Sequence, residues 1–316
     1  MAPLASVIVP SLNGAHLLPA CLDSLASQSY PDVEVIVADG ASTDGTADLL
    51  RQRFPSVRLL TLRQNRGFAG NVNAGLRAAR GEVLCLLNND ARAEADWVSV
   101  CVETLAGHAD IGSVASKVLY AERGTINSAG DLMCLDGTAR QRGNSLPDAP
   151  RWNEPARVFG ASGGAAAYRR AMLADVGLLD EQFFMYLEDV DLAFRAQLRG
   201  WGCLYQPSAV AVHRGGVSGG GQLESFYNGR NLIRLLAKDL PRGLAPRLLP
   251  AIARAQAERT RQALAAWRGS AARATLRGQL AGLAEMPRHL ADRPAVQRRR
   301  RVSDRAILEL LSPAPA

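Results

Sequence analysis

Three acid-bearing stretches and one histidine stand where side chains could act on a ligand. Asn88-Asn89-Asp90 closes the unbroken apolar run Val83-Leu84-Cys85-Leu86-Leu87. A carboxylate flanked by amides offers hard oxygen ligands for Mg²⁺ or Mn²⁺. The same three residue types also make an ordinary turn. Glu188-Asp189-Val190-Asp191 places three acids in four residues behind the aromatic run Phe183-Phe184-Met185-Tyr186. A carboxylate there can take a proton or accept a hydrogen bond, although acids in a first helical turn are also favoured by the helix dipole alone. Asp39 ends a second apolar stretch and reads either as a ligand contact or as a surface acid. His213 follows Ala209-Val210-Ala211-Val212, where an imidazole serves as a metal ligand or as a structural hydrogen-bonding group.

These residues need elements that bring them together. A run as short and apolar as Val83–Leu87, preceded by Gly81, predicts a strand buried on both faces of a helix-covered sheet. Ligands of such sheets bind beyond the carboxyl ends of the strands, which is where Asp90 falls. Ala5–Pro10 is a first strand, ended by a proline that cannot donate to a ladder. Leu18, Cys21, Leu22 and Leu25 space a helix over 17–27, and Val33–Asp39 is a second strand. A polar turn over 40–46 leads into a helix with Leu49, Leu50 and Phe54. Val57–Leu62 is a third strand, 67–75 a glycine-rich loop, and Asn73–Ala79 a helix. Strands alternating with helices at this spacing predict an α/β fold with a mostly parallel sheet. Trp97, Val100, Cys101 and Leu105 mark a core helix, and Ile111–Val118 another strand. Residues 124–155, rich in Gly, Asn, Asp and Pro, read as loops. Leu192, Arg195 and Leu198 mark a helix whose first turn holds Glu188 and Asp189, with Asp191 as a structural cap partner.

Length and charge bound the organisation. The 316 residues suffice for one large or two modest domains with a proper core. No apolar run approaches the roughly 18 residues of a membrane span, and the N-terminus lacks the basic and apolar regions of a signal peptide. Cys21, Cys85, Cys101, Cys134 and Cys203 are scattered without a CxxC pair and read as small buried hydrophobes of a reducing cytosol. Residues 241–316 carry 15 Arg against five acids, leaving a body over 1–240 at −3 and a helical C-terminal region over 241–316 at +10. Arg298–Arg301 is a run of four, and Leu276, Leu280 and Leu283 define one helical face. Such a region either packs on the body with solvated arginines or meets an anionic membrane surface. Nucleic acid is not indicated, since no recognition motif accompanies the charge.

Four fragments in fixed order carry a resemblance. Val-Pro-Ser-Leu-Asn (9–13), Val-Ala-Asp-Gly-Ala-Ser-Thr-Asp-Gly-Thr (37–46), Asn-Arg-Gly-Phe-Ala-Gly-Asn-Val-Asn-Ala-Gly (65–75) and Leu-Asn-Asn-Asp (87–90) resemble the GT-A nucleotide-sugar domain of glycosyltransferase family 2. The subgroup it looks most like transfers rhamnose and related sugars in bacterial cell-surface polysaccharide assembly, and the match runs from about residue 5 to residue 235. The resemblance implies a donor site made by Pro10, Leu12 and Asn13 with Asp39, which accepts from the imide N–H of uracil or thymine. It further implies Gly70 and Asn73 near a diphosphate, Asn89 on the ribose, and Gly163 and Gly164 where a sugar lies against backbone. Close strand-on-helix packing is the other reading of those two glycines. By the same resemblance Asp189 is the catalytic base, Glu188 binds the acceptor, and Asp90 with His213 holds Mg²⁺ or Mn²⁺. The His motif continues through Arg214-Gly215-Gly216-Val217-Ser218. Tyr227, Arg230 and Asn231 form a Tyr-x-x-Arg-Asn element in which Arg230 clamps the diphosphate.

The expectation is an inverting, metal-dependent transferase that moves a sugar from a dTDP- or UDP-linked donor to a hydroxyl of a glycan or lipid-linked acceptor. It would be cytoplasmic, at the cytoplasmic face of the inner membrane. No residue is a candidate nucleophile for a covalent intermediate, so a single displacement with inversion is expected. Two other classes compete. One is a catalytically idle nucleotide-sugar-binding or scaffold protein, against which Asp90 and Asp189 stand. The other is a sugar nucleotidyltransferase, against which stands the lack of Arg and Lys over 10–20.

Overall fold

A computed structural model describes residues 3–122, 124–215 and 221–313. The first half is a run of strands and helices: β1 (Ala5–Ser11), α1 (Leu18–Ala26), β2 (Val33–Asp39), α2 (Thr46–Arg53), β3 (Arg58–Thr61), α3 (Gly67–Ala78), β4 (Val83–Leu87), β5 (Ala91–Ala93) and α4 (Trp97–Gly107). Then come β6 (Ile111–Tyr120), β7 (Ile126–Ser128), β8 (Asp131–Met133), β9 (Ala139–Gln141), β10 (Ala156–Val158), β11 (Ala165–Arg169), α5 (Arg170–Val176), α6 (Glu188–Arg199) and β12 (Gly202–His213). Five helices close the chain: α7 (Gly221–Asp239), α8 (Ala245–Ala265), α9 (Ser270–Ala284), α10 (Met286–Gln297) and α11 (Asp304–Leu310).

The main sheet has the order β10-β12-β6-β11-β4-β1-β2-β3. Its β4-β1-β2-β3 half is parallel, and β6 and β12 are parallel to each other. Only β10, β11 and the short β5 and β7 run against their neighbours. Alternation along the strands feeds two cores, one on each face. Val7, Val9, Val83, Cys85 and Leu87 point to the α1 and α4 side. Ile8, Leu84 and Leu86 point to the α3 and α5 side. All five cysteines are buried and unpaired. The α/β class, the parallel arrangement and β4 as its buried strand agree with the sequence reading.

Two local expectations are corrected, and α9 takes an orientation that the sequence left open. The glycine-rich stretch 67–75 is the body of α3, not a loop. Asn65 Oδ1 accepts from the Gly67 N–H at 2.9 Å and starts the helix. The glycines, unfavourable for helix propensity, serve packing instead: a Cβ on Gly75 would fall 2.5 Å from Ile8 Cγ2 of β1. Residues 124–155 are also not merely loops, for they form β7 and the β8–β9 hairpin. Finally, α9 is turned the other way from its leucines. Ala274, Gly278, Gln279 and Gly282 are buried: Gln279 reaches Gln256 and Thr260 of α8, and the glycines lie on α7, where a Cβ on Gly229 would come 2.8 Å from Thr275 O and one on Gly282 2.8 Å from Arg230 O. The backbones are that close, so Leu280 and Leu283 point to solvent, 67% and 56% exposed.

The C-terminal helices share a third core with α6 and α7. It includes Phe183, Phe194, Leu232, Leu235, Leu248, Ile252, Ile307 and Leu311. Among the described residues no helix is long and apolar enough to cross a membrane.

Candidate active site

Strand pairing first unites the two ends of the proposed metal pair. In β12 His213 lies opposite Ala91 of β5, and the Arg214 N–H donates to Asp90 O at 3.1 Å. That register puts His213 Nε2 2.9 Å from Asp90 Oδ1, with the carboxylate buried and the imidazole nearly so. Asn88 Nδ2 lies 3.4 Å from the same ring nitrogen. Asn88 Oδ1 and His213 Nδ1 are buried without hydrogen-bond partners. A carboxylate oxygen and an imidazole nitrogen at this spacing, with an unsatisfied amide oxygen beside them, fit a divalent cation of the Mg²⁺/Mn²⁺ type. Among the described residues no group of three or more His, Cys, Asp and Glu gathers as a metal cage, so other positions on an ion fall to a ligand or water.

Asp90 and His213 open into a cavity of about 590 Å³ that also meets Gly163, Gly164, Glu188 and Asp189. Asp189 stands at the start of α6, its Oδ2 accepting from the Gly163 N–H at 2.9 Å and its Oδ1 from the Val190 N–H at 2.8 Å. Burial raises this carboxyl above its ordinary value, against the pull of those N–H groups. Glu188 is fully buried and its Oε2 has no partner; burial, and then the charge of Asp189, push it well above the usual range.

The segment before α6 is held in an uncommon shape. Phe184, Tyr186 and Leu187 have φ of 64°, 66° and 67°, a left-handed backbone that costs non-glycine residues energy and persists only when surroundings impose it. One face of α7 imposes it. Asn231 Nδ2 donates to the carbonyls of Phe183, Met185 and Tyr186 at 2.8–2.9 Å. Arg230 donates to Gln182 O at 2.8 Å, and Tyr227 stacks on Phe184 with centroids 5.4 Å apart.

A second neighbourhood lies beyond the carboxyl ends of β1 and β2. Asp39 is buried and accepts from the Ser42 N–H at 3.2 Å and from the Ser42 hydroxyl. The Asn13 N–H donates to Ser42 Oγ at 2.7 Å, and Asn13 Oδ1 accepts from the Thr43 N–H at 2.9 Å. Pro10 is buried in β1, Leu12 is 43% exposed beside it, and Asn89 Nδ2 reaches Ser11 Oγ at 3.3 Å. Asn89 thus ties this corner to Asp90.

The sequence profile of glycosyl transferase family 2 matches residues 6–177, from β1 through α5. The chain belongs to glycosyl transferase family 2. N-acetylglucosaminyl-diphospho-decaprenol L-rhamnosyltransferase of Mycobacterium tuberculosis is 30% identical to this glycosyltransferase over 234 residues, 66% of this chain and 75% of that protein. A PGL/p-HBAD biosynthesis glycosyltransferase of Mycobacterium bovis is 38% identical over 111 residues, 34% of this chain and 43% of that protein. Mannosyltransferase PcManGT from Pyrobaculum calidifontis, solved with GDP-Man and Mn²⁺, matches 98% of this chain and 87% of its own with a TM-score of 0.57 at 23% identity. GalNAc-T7, solved with UDP, GalNAc and Mn²⁺, matches 74% of this chain with a TM-score of 0.60 at 16% identity, and this chain spans 48% of that one. The shared architecture is the GT-A fold.

Of the residues expected in the glycosyltransferase site, three lie elsewhere. Asn73 is buried in α3, exchanging hydrogen bonds with Leu179 at 2.8 and 3.0 Å. Gly70 is buried in the same helix and packs against Arg66. Arg230, expected as a diphosphate clamp, is taken up by Glu285 at 2.7 Å and by the Gln182 carbonyl, outside the cavity lining. Its element braces the loop before α6. Asp191 is not a cap: it is completely buried, accepts from Arg195 Nε at 2.8 Å and pairs with Lys238. Gly216, Val217 and Ser218 of the His motif lie outside the described residues. The sequence reading missed Asp131, Asn127, Gln141 and Asn228, all on the cavity wall. The one signal for Asp131 was an acid directly after Ser128-Ala129-Gly130, with Gly130 at φ 96°, and it was masked by a stretch rich in turn residues.

Proposed function

We propose that this family 2 glycosyltransferase inverts the anomeric centre. It moves rhamnose or a similar hexose from a dTDP- or UDP-linked donor to a hydroxyl of a lipid-linked or glycan acceptor, in cell-surface polysaccharide assembly. The observation that carries the reading is one cavity lined both by Asp189 and by the Asp90–His213 pair. The name of the 30%-identical relative, a rhamnosyltransferase acting on a decaprenol-linked sugar, supports both the sugar and the acceptor class.

Donor base and ribose are assigned to the corner of Pro10, Leu12, Asn13, Asp39 and Asn89. The sugar lies along Gly163 and Gly164, where absent side chains let it approach backbone. Asp189 takes the proton of the acceptor hydroxyl as that oxygen bonds to the anomeric carbon. The bond from that carbon to the diphosphate oxygen breaks, and the nucleoside diphosphate leaves with its electron pair. Glu188 binds the acceptor. Asp90 and His213 hold a divalent cation, which supplies counter-charge to the leaving diphosphate; the metal-bound state of PcManGT and GalNAc-T7 supports this. Asp189 must be ionised to act, so the rate falls as pH drops through its raised pKa, at a higher pH than for an ordinary aspartate.

Work at the cytoplasmic face of a membrane fits α9 and its neighbours. Leu280, Leu283, Leu290 and Trp267 are 50–67% exposed, among exposed Arg273, Arg277 and Arg288.

Asp189→Asn keeps the side-chain shape and removes the proton acceptor. Transfer should fall at least about 100-fold while calorimetric donor affinity changes little. Near-wild-type transfer by this variant would sink the assignment.

A further inference from the structure

Asp131 opens β8 and belongs to none of the motifs that carry the family resemblance. It is 3% exposed yet lines the cavity, and its Oδ2 has no hydrogen-bond partner. Its backbone is fixed: the Asp131 N–H donates to Gly160 O at 2.8 Å. Three residues on, the Gly163 N–H holds Asp189, so both carboxyls are set by one short segment. The ionisable groups that face Asp131 are Glu188 and Asp189 of α6, Tyr168 of β11 and Cys203 of β12. No ion pair among the described residues includes it. A buried carboxyl without a partner is costly unless a ligand completes it.

We propose that Asp131 is a substrate-positioning residue whose free carboxyl oxygen binds a hydroxyl of a sugar held in the cavity beside Asp189. The proposal rests on the reading of Asp189 as base. Two buried carboxyls on one cavity wall do not both ionise readily. Asp189 receives two backbone N–H groups and carries the charge, whereas burial and then the Asp189 charge push Asp131 well above the ordinary range. In its protonated form, which this shift favours, Asp131 presents both an O–H donor and a carbonyl acceptor. Neighbouring hydroxyls of a pyranose match that pair, on the donor sugar or on the acceptor sugar.

The test is steady-state kinetics across pH on the full chain, with donor and acceptor varied separately. Asp131→Ala should raise one KM about tenfold, and the substrate whose KM moves identifies the bound sugar. In the wild type transfer should decline at alkaline pH as Asp131 loses its proton. Asp131→Asn, neutral at every pH and able to donate, should raise the same KM less than Asp131→Ala does and should lose that alkaline limb. A structural role would alter the melting temperature but not the shape of the pH profile. The proposal is overturned if both KM values are unmoved in Asp131→Ala, or if Asp131→Asn leaves the profile unchanged. Those outcomes alongside an inactive Asp189→Asn would leave the base assignment standing. An active Asp189→Asn would remove the base while the KM shift still reported the contact of Asp131.

Discussion

Two acids only one residue apart do opposite things. Asp189 faces the cavity, while Asp191 turns inward to Arg195 and Lys238. The separation follows from helix geometry, since positions i and i+2 do not share a face. That much was legible in Glu-Asp-Val-Asp; which face met the ligand was not, because it depends on Lys238, 47 positions away. Burial alone would raise the Asp191 carboxyl, but Arg195 and Lys238 outweigh it and hold it well below the usual value. A depressed carboxyl contributes stability that is present above its unfolded pKa. This contribution should be lost as pH falls from the ordinary aspartate range toward the lowered folded value. Asp191→Ala leaves buried Arg195 without its carboxylate and Lys238 with Asp180 as its ion-pair partner, and should cost about 3–5 kcal/mol, read from urea unfolding at neutral pH. A loss below about 1 kcal/mol would mean the cations find other partners.

At the scale of elements, α7 organises the site. Tyr227, Arg230 and Asn231 are spaced i, i+3, i+4, so the sequence shows that they share a face. It does not show what that face meets, because the loop over 182–187 lies more than 40 residues upstream. The left-handed residues there sit among carbonyls that Asn231 and Arg230 grip, those of Gln182, Phe183, Met185 and Tyr186. Asn231→Ala should cost about 1–3 kcal/mol of stability and lower transfer more than donor affinity, because the released loop leads directly into Glu188 and Asp189. A variant with wild-type turnover would show that α6 alone sets those acids. Helix α3 teaches a related lesson. Glycine at 67, 70 and 75 reads as loop by propensity, but at Gly75 close packing on Ile8 of β1 outweighs propensity, and only the tertiary neighbour reveals it.

Across the whole molecule, the separation of charge was legible from composition, and the packing of the C-terminal helices was not. α9 gives its small residues to α7 and its leucines to solvent. Since a basic residue near an anionic surface contributes about 1 kcal/mol, the Arg273, Arg277 and Arg288 side of this face favours such a surface. The double variant Leu280→Ser/Leu283→Ser should sediment less with phosphatidylglycerol vesicles than the wild type, with unchanged melting temperature and unchanged transfer to a soluble acceptor. Equal sedimentation would refute membrane docking through this face. Deleting 287–316 would be a poor substitute, because His289, Arg293 and Ile307 are buried and the core would open. One contact at the far end of these helices bears on how the site comes into being. Ser312 exchanges backbone hydrogen bonds at 2.9 Å with Met133 and Leu135, at the end of the β8–β9 hairpin that begins with Asp131. A two-stranded hairpin is marginal alone. On a ribosome the parallel strands can form early, but the wall that carries Asp131 gains this clasp only once residue 312 has emerged, so the cavity becomes complete well after the strands that lie before it.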